Sequence, residues 1–239
     1  MTIRIGTAGW SLPRDIAEQF PSEGTGLERY AARFSCAEIN SSFHRPHRAS
    51  TWERWRDSVP ADFRFSAKMP KTVTHQARLV DCEALVAGFL DQAHILGPKL
   101  SVVLVQLPPK HAFDHDVAAR FFGNLAESTE ARIACEPRHL SWFAAEADSL
   151  LASLRIARVA ADPAICEAAA RPGGWPGLSY WRLHGSPVMY RSSYADRVAE
   201  YADAIEATDS GESWCIFDNT ASSAGAGDAL ALQRALERR

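Results

Sequence analysis

Short apolar, β-branched runs recur along the chain at a nearly constant interval. They are Ile3–Thr7, Cys36–Ser41, Phe63–Lys68, Val102–Leu107, Arg132–Glu136, Ile156–Ala161, Leu178–His184 and Trp214–Phe217. Nearly continuous apolar runs of this length suit strands buried on both faces, as parallel sheets require. Helical spacing fills the intervals. Leu27, Tyr30, Ala31 and Phe34 keep the rhythm of one helix face, behind a capping-box pattern of Thr25 and Glu28. Ser50 and Glu53 repeat that pattern, with Trp52, Trp55 and Val59 close to one face. Asp81 is the expected cap of a helix carrying Leu85, Val86, Phe89, Leu90 and Ala93. Asp114 is the expected cap of one carrying Val117, Phe121, Phe122 and Leu125. Weaker patterns cover Phe143–Leu154, a segment opened by Ser193 that runs through Tyr201 and Ile205, and Ala226–Glu237. After Asp162 the only helical stretch is Ala164–Ala170, and the Pro- and Gly-rich Arg171–Gly177 reads as a loop.

Eight strand-plus-helix units of about 30 residues use up all 239 residues, close to the size of a (β/α)8 barrel. Eight strands alternating with helices most simply close into a single-domain TIM barrel over residues 1–239. An open doubly wound sheet is the alternative. It lacks support, because Gly6-Thr7-Ala8-Gly9 has the wrong spacing for a dinucleotide turn. The composition, 46% hydrophobic and 23% charged, is that of a globular chain and not a disordered one. A net charge of −3 argues against a surface coated for bulk nucleic-acid binding, and leaves room for a local basic pocket. No 18-residue apolar stretch exists, so no membrane partner is expected. The N-terminus reads as a strand and has no signal-peptide core. Cys36, Cys135 and Cys215 sit inside apolar runs without paired spacing, which suggests free thiols in a reducing cytoplasm.

In such a barrel, chemistry gathers at the C-terminal ends of the strands, and the polar residues of this chain follow that rule. The first strand runs into Trp10. The second carries Glu38 and Asn40, the third ends at Lys68, and the fourth ends at Gln106. The fifth leads into Glu136, Arg138, His139 and then Trp142, and the sixth ends at Asp162. The seventh carries Arg182 and His184, and the eighth runs into Asp218 and Asn219. Inward-pointing charges need partners or a ligand. Glu38 has a structural reading as the partner of Lys68 or Arg182, and Glu136 as the partner of Arg138.

These strings also carry a family likeness. Gly6-Thr7-Ala8-Gly9-Trp10, Glu38-Ile39-Asn40-Ser41-Ser42-Phe43-His44 and Phe65-Ser66-Ala67-Lys68 with Thr74-His75 come first. Gln106-Leu107-Pro108-Pro109, Glu136-Pro137-Arg138-His139 with Trp142, Arg182-Leu183-His184-Gly185 and Asp218-Asn219-Thr220 follow in order. Together they resemble the YecE-like family, also called domain of unknown function 72. The resemblance implies a TIM-barrel fold and no particular reaction. The family more often has Ser at Ala8, Tyr at His44 and Asn at Asp218.

The residue types point first to an enzyme acting on an anionic, phosphate-bearing substrate, with phosphodiester hydrolysis on nucleic acid within its range. Lys68, Arg138 and Arg182 would hold the anion. Asn40, Gln106, His139, Asn219 and Trp10 would contact the rest of the substrate. Glu136, Glu38 and Asp162 would act as general base or metal ligands, and His184 as general acid or ligand. A divalent metal ion, if used, would be magnesium or manganese, since only His184 among the histidines lies on a strand. One alternative is a glycoside-type hydrolase using Glu38 and Glu136, with Trp10 and Trp142 stacked on a sugar. The other is a non-catalytic, anion-binding regulator. No Gly-x-Ser-x-Gly elbow or Walker motif is present. On this reading Glu136→Gln, Lys68→Ala and Arg182→Ala leave folding largely intact and weaken ligand binding.

Overall fold

The computed structural model describes residues 2–238. Ten strands are present among them: β1 Thr2–Thr7, β2 Cys36–Ile39, β3 Arg64–Lys68, β4 Leu100–Gln106, β5 Arg132–Glu136, β6 Ile156–Arg158, β7 Ala160–Asp162, β8 Gly173–Gly174, β9 Leu178–Leu183 and β10 Glu212–Phe217. They form an α/β fold with two sheets, ordered β1-β10-β9-β7 and β2-β3-β4-β5-β6-β8. Every pairing is parallel except β6 with β8. The two sheets meet in two places. Ala8 bridges to Glu38, and Gly9 N–H donates to the Glu38 carbonyl at 2.8 Å. β6 and β7 are one expected strand interrupted at Val159, whose N–H donates to the Cys135 carbonyl at 2.8 Å. β6 then pairs with β5, and β7 with β9.

All eight expected runs form strands because both of their faces are buried. One face, drawn from both sheets, packs Cys36, Val102, Leu104, Ala134, Tyr180 and Trp214 into a single apolar cluster. Within it the Tyr180 and Trp214 rings stack, with centroids 5.9 Å apart. The other face packs against the helices. These are α1 Gly26–Ala31, α2 Ala49–Asp57, α3 Glu83–Ala93, α4 His115–Ser128, α5 Ala145–Ser153, α6 Val198–Glu206 and α7 Ala224–Glu237. No helix is long and apolar enough to cross a membrane among the described residues.

The caps divide. Thr25 and Glu28 form the expected capping box, and the Asp114 carboxylate accepts from Val117 N–H at 3.0 Å. Ser50 does not cap α2, because the helix begins one residue earlier, behind Arg48. Asp81 does not cap α3 either: it has φ 48°, and Cys82 stands at the N-cap. Ser193 opens no helix directly. Its hydroxyl donates to Asp228 at 2.6 Å, and α6 starts only at Val198.

The expected helix over Ala164–Ala170 shrinks to one 3-10 turn at Glu167–Ala170. The Arg158 guanidinium takes the Ala168 carbonyl at 2.8 Å and the Arg171 carbonyl at 3.3 Å. Those acceptors are therefore drawn away from a continuing helix. The loop that follows also holds β8, which no pattern announced. Asp148 anchors it by accepting from both Arg158 and Gly174 N–H.

The seam between β1 and β2 depends on Gly6. A methyl group there would lie 2.2 Å from the Cys36 carbonyl oxygen, which is backbone and cannot swing aside. Gly6→Ala is expected to cost about 3 kcal/mol through overpacking. Urea unfolding followed by circular dichroism reads this directly, and an unchanged midpoint would mean the seam opens freely.

Candidate functional site

Side chains alternate along a strand, so residues two apart share a face. On β9 this puts Tyr180, Arg182 and then His184 in one file. Cys36 and Glu38 are in step on β2, Ser66 and Lys68 on β3, and Ala134 and Glu136 on β5. Trp214, Ile216 and Asp218 are in step at β10. The lower members of these files are mostly the apolar cluster already described. The upper members are charged, and they converge just above it.

Arg182 is fully buried and holds them together. Its Nη2 and Nε donate to the two oxygens of Glu38 at 2.6 and 3.0 Å, in a bidentate fork. Its Nη1 donates to Glu136 at 2.6 Å, and Nη2 also reaches Asp218 at 3.0 Å. The Tyr180 hydroxyl adds a bond to Glu38 at 3.0 Å and itself meets Ser66 at 2.7 Å. His184 stands between two carboxylates, with Nδ1 2.9 Å from Asp218 and Nε2 2.9 Å from Glu136. Arg138 completes the group, pairing with Glu136 and approaching His184 Nε2 at 2.6 Å. That nitrogen either donates to Glu136 or accepts from Arg138, because it has one site for both. The Nε of Arg138 is buried with no hydrogen-bond partner.

Burial alone would raise the Glu136 carboxyl. Arg138, Arg182 and His184 outweigh it and hold Glu136 well below the ordinary carboxylate range. Asp218 is lowered in the same way: burial raises it, while Arg182, His184 and Lys68 bring it down.

Lys68 differs from every other member. It is only 5% exposed, yet among the described residues its ammonium has no hydrogen-bond or ion-pair partner. It lies 4.3 Å above the centre of the Phe43 ring, a cation–π contact that replaces little of the lost water. Burial, reinforced by Arg182, lowers its pKa to about 8 against the pull of Glu38, Glu136 and Asp218.

The structure thus brings together Glu38, Lys68, Glu136, Arg138, Arg182 and His184. Asn40 and Gln106 border this group. Asn40 follows Glu38 on the same face, with its Oδ1 buried and unpartnered, and Gln106 is in register with Glu136.

Four expected residues lie elsewhere. Asp162 is in register with Leu183, not Arg182, so it faces the helix layer, where it binds Arg197 at 2.7 Å and also Tyr201. Asn219 braces a loop and a helix, donating to the Ser192 carbonyl at 3.0 Å and to Asp228 at 2.7 Å. His139 caps its own turn through Ser141. Trp10 packs edge-on against Trp55 and Phe65 in the outer core.

Two chemical expectations also change. Glu38 and Glu136 do not flank an open gap, since the Arg182 guanidinium joins them, so they are not placed as a glycosidase pair. Trp142 is no sugar platform: it is fully buried, with its indole N–H donated to the His111 carbonyl at 2.9 Å. The set does not fit a metal either. No group of three or more His, Cys, Asp or Glu is arranged to hold one among the described residues, and the cluster's carboxylates already face arginines.

Asp218 was named at the end of the eighth strand but given no role, and two contributors escaped the sequence reading of the site. Tyr180 was visible as the residue two before Arg182. Tyr190 left no signal: its half-exposed ring stands edge-on to His184, with centroids 5.8 Å apart, in the loop after β9.

A family model described as "Protein of unknown function DUF72" matches residues 4–239. The UPF0759 protein YecE of Escherichia coli (strain K12) is 37% identical over 106 residues, which are 44% of this chain and 38% of that protein. The match therefore spans well under half of the curated relative's length. Two solved structures are similar throughout. A DUF72 family protein from Enterococcus faecalis V583 has a TM-score of 0.81 at 19% identity, covering 99% of this chain and 96% of that one. A DUF72 family protein from Thermotoga maritima MSB8 has a TM-score of 0.80 at 22% identity, covering 99% and 100%. At these identities the structural likeness speaks for the fold alone.

The geometry separates two substitutions that the sequence treats alike. Arg182→Ala strands three carboxylates below the surface and is expected to destabilise by about 3–5 kcal/mol, contrary to the expectation that it leaves folding intact. Lys68→Met removes a buried charge that has no partner, so it should equal or exceed the wild type in stability at pH 7. The wild-type lysine holds its proton less tightly folded than unfolded. Its stability therefore rises with pH from about 8 towards the ordinary 10.5, and the variant's relative advantage should shrink over that window. Urea titrations of both variants across pH check this. A destabilised Lys68→Met at pH 7 would show that the ammonium is a structural partner after all.

Proposed function

The chain belongs to the DUF72 family, and from that premise we propose that its strand-end cluster is the site of an enzyme acting on a small anionic, phosphate-bearing substrate. The observation that carries this reading is Lys68, a residue only 5% exposed whose ammonium has no hydrogen-bond or ion-pair partner among the described residues. A fold that pairs Arg182 directly with three carboxylates yet puts none within ion-pairing distance of Lys68 suits an anion that arrives from outside. Arg138, with its Nε unpaired, is the second donor. Arg182 is not a third, because its donors are already taken by Glu38, Glu136 and Asp218.

His184 is the proton carrier. Asp218 fixes the ring through Nδ1, and Nε2 faces Glu136 and Arg138. A proton held at Nε2 stands beside Arg138, one of the two groups that would meet the anion. This suits protonation of a leaving oxygen, or its reverse, in transfer or hydrolysis of a phosphate ester. Glu136 positions that nitrogen and neutralises Arg138.

We further propose that the two sheets close into one (β/α)8 barrel with this cluster at its C-terminal mouth. The Ala8–Glu38 bridge and the continuity of β6 and β7 through Val159 support closure. The five free cysteines support a reducing compartment such as the cytoplasm.

Calorimetric titration with inorganic phosphate at pH 7 tests the site. The wild type is expected to bind, and Lys68→Met to bind at least about tenfold more weakly, or 1.4 kcal/mol. An aryl phosphomonoester and a phosphodiester supplied as substrates should be turned over by the wild type and not by His184→Ala. Equal phosphate affinity in wild type and Lys68→Met would end this reading.

A further inference from the structure

A cavity of about 320 Å3 lies beside the cluster and outside it. Its wall is aromatic, made by Phe43, Trp52 and Phe89 with Pro46 and Pro70. Helix α3 supplies Ala84, Leu85, Gly88, Phe89 and Gln92, which share one helical face by their spacing. Gln92 is held in place, accepting from His47 N–H at 2.9 Å and donating to the Gly88 carbonyl at 3.0 Å. The volume is at the small end of the range for ligand pockets, about 300–1,000 Å3.

Three features point to one kind of occupant. The lining contains Arg45, Lys71 and His44, and no carboxylate at all. In a chain with 29 acidic residues against 26 Lys and Arg, that local excess of positive charge is selective. Trp52 and Phe89, 1% and 4% exposed, back the wall, and the half-buried Phe43 ring is its more open aromatic face. Leu85 lies 45% exposed on the same lining, an apolar surface left open beside the two cations.

We infer that this cavity binds an aromatic monoanion, with the ring against Phe43, Trp52 and Phe89 and the acid group between Arg45 and Lys71. Flat rings suit an aromatic wall through edge and offset contacts, and the exposed cations select an acid over a neutral or basic ring compound. The site stands apart from the phosphate reading. The two meet at Phe43, whose face carries Lys68 at 4.3 Å, and at Ser42, whose hydroxyl donates to the Lys68 carbonyl at 2.7 Å.

The probe is 1-naphthalenesulfonate, followed by its fluorescence with wild type and three variants. Gly88→Phe fills the cavity; a side chain begun at Gly88 meets nothing within 4 Å, so the helix accepts it. Arg45→Glu/Lys71→Glu reverses the charge at two exposed positions. Lys68→Met serves as the control for the cluster. The expected result is saturable binding by the wild type, at least tenfold weaker in Gly88→Phe and in the charge reversal, and within twofold of wild type in Lys68→Met. No saturable binding, or binding that either cavity variant leaves unchanged, overturns the inference. So does binding that Lys68→Met abolishes, because the probe would then sit in the cluster. Phosphate titrations of the same proteins keep this result distinct from the fate of the phosphate reading.

Discussion

A fully buried guanidinium is tolerable only when nearly every one of its donors is matched, because the cost of removing it from water is several kcal/mol before any pairing. Arg182 meets that condition with Glu38, Glu136 and Asp218, which come from β2, β5 and the end of β10. Both sheets are therefore tied at one atom group. The strands can take other hydrophobic residues below this level and keep packing. They cannot shift register at this level without leaving a charge unmatched. The apolar cluster beneath it and the helices outside it supply most of the burial, while Arg182 sets how the strand ends are placed relative to one another.

The contrast between Arg182 and Lys68 gives the site its character. Both are cations on strands, both are buried, and they lie close enough to lower the affinity of Lys68 for its proton. One is surrounded by carboxylates and the other rests on a phenyl ring. Arg182 is thus part of the scaffold, and Lys68 is a buried cation without an ion-pair partner among the described residues. A fold stabilised throughout would have removed the second charge, and on the proposed reading its retention is what binding costs the native state.

Much of this is legible in the amino-acid sequence. The eight runs appear as strands because double-sided burial leaves an unbroken apolar signature, and six of the named strand-end residues meet in one cluster. What was not legible follows from the same alternation. Asp162 ends its strand as Glu136 does, but it is in register with Leu183 and so turns outward. Composition cannot reveal that parity, because the sixth strand breaks at Val159. Asn219 and His139 sit past the strand ends, where local turns decide direction, and both were taken by backbone and loop contacts. Ser50 falls inside the first turn of α2, which starts at Ala49 behind Arg48, and the failed helix after Asp162 was drawn apart by an arginine 10 residues from Ala168.

The shared nitrogen of His184 links two quantities that are usually treated separately. Nε2 has room for a proton directed at Glu136 or for the donor of Arg138, never both. Filling that position with a proton therefore releases Arg138 from the ring, and Arg138 is the arginine with a spare buried donor and a slightly open side chain. The contact of the ring with Glu136 and its contact with Arg138 are thus two readouts of a single occupancy.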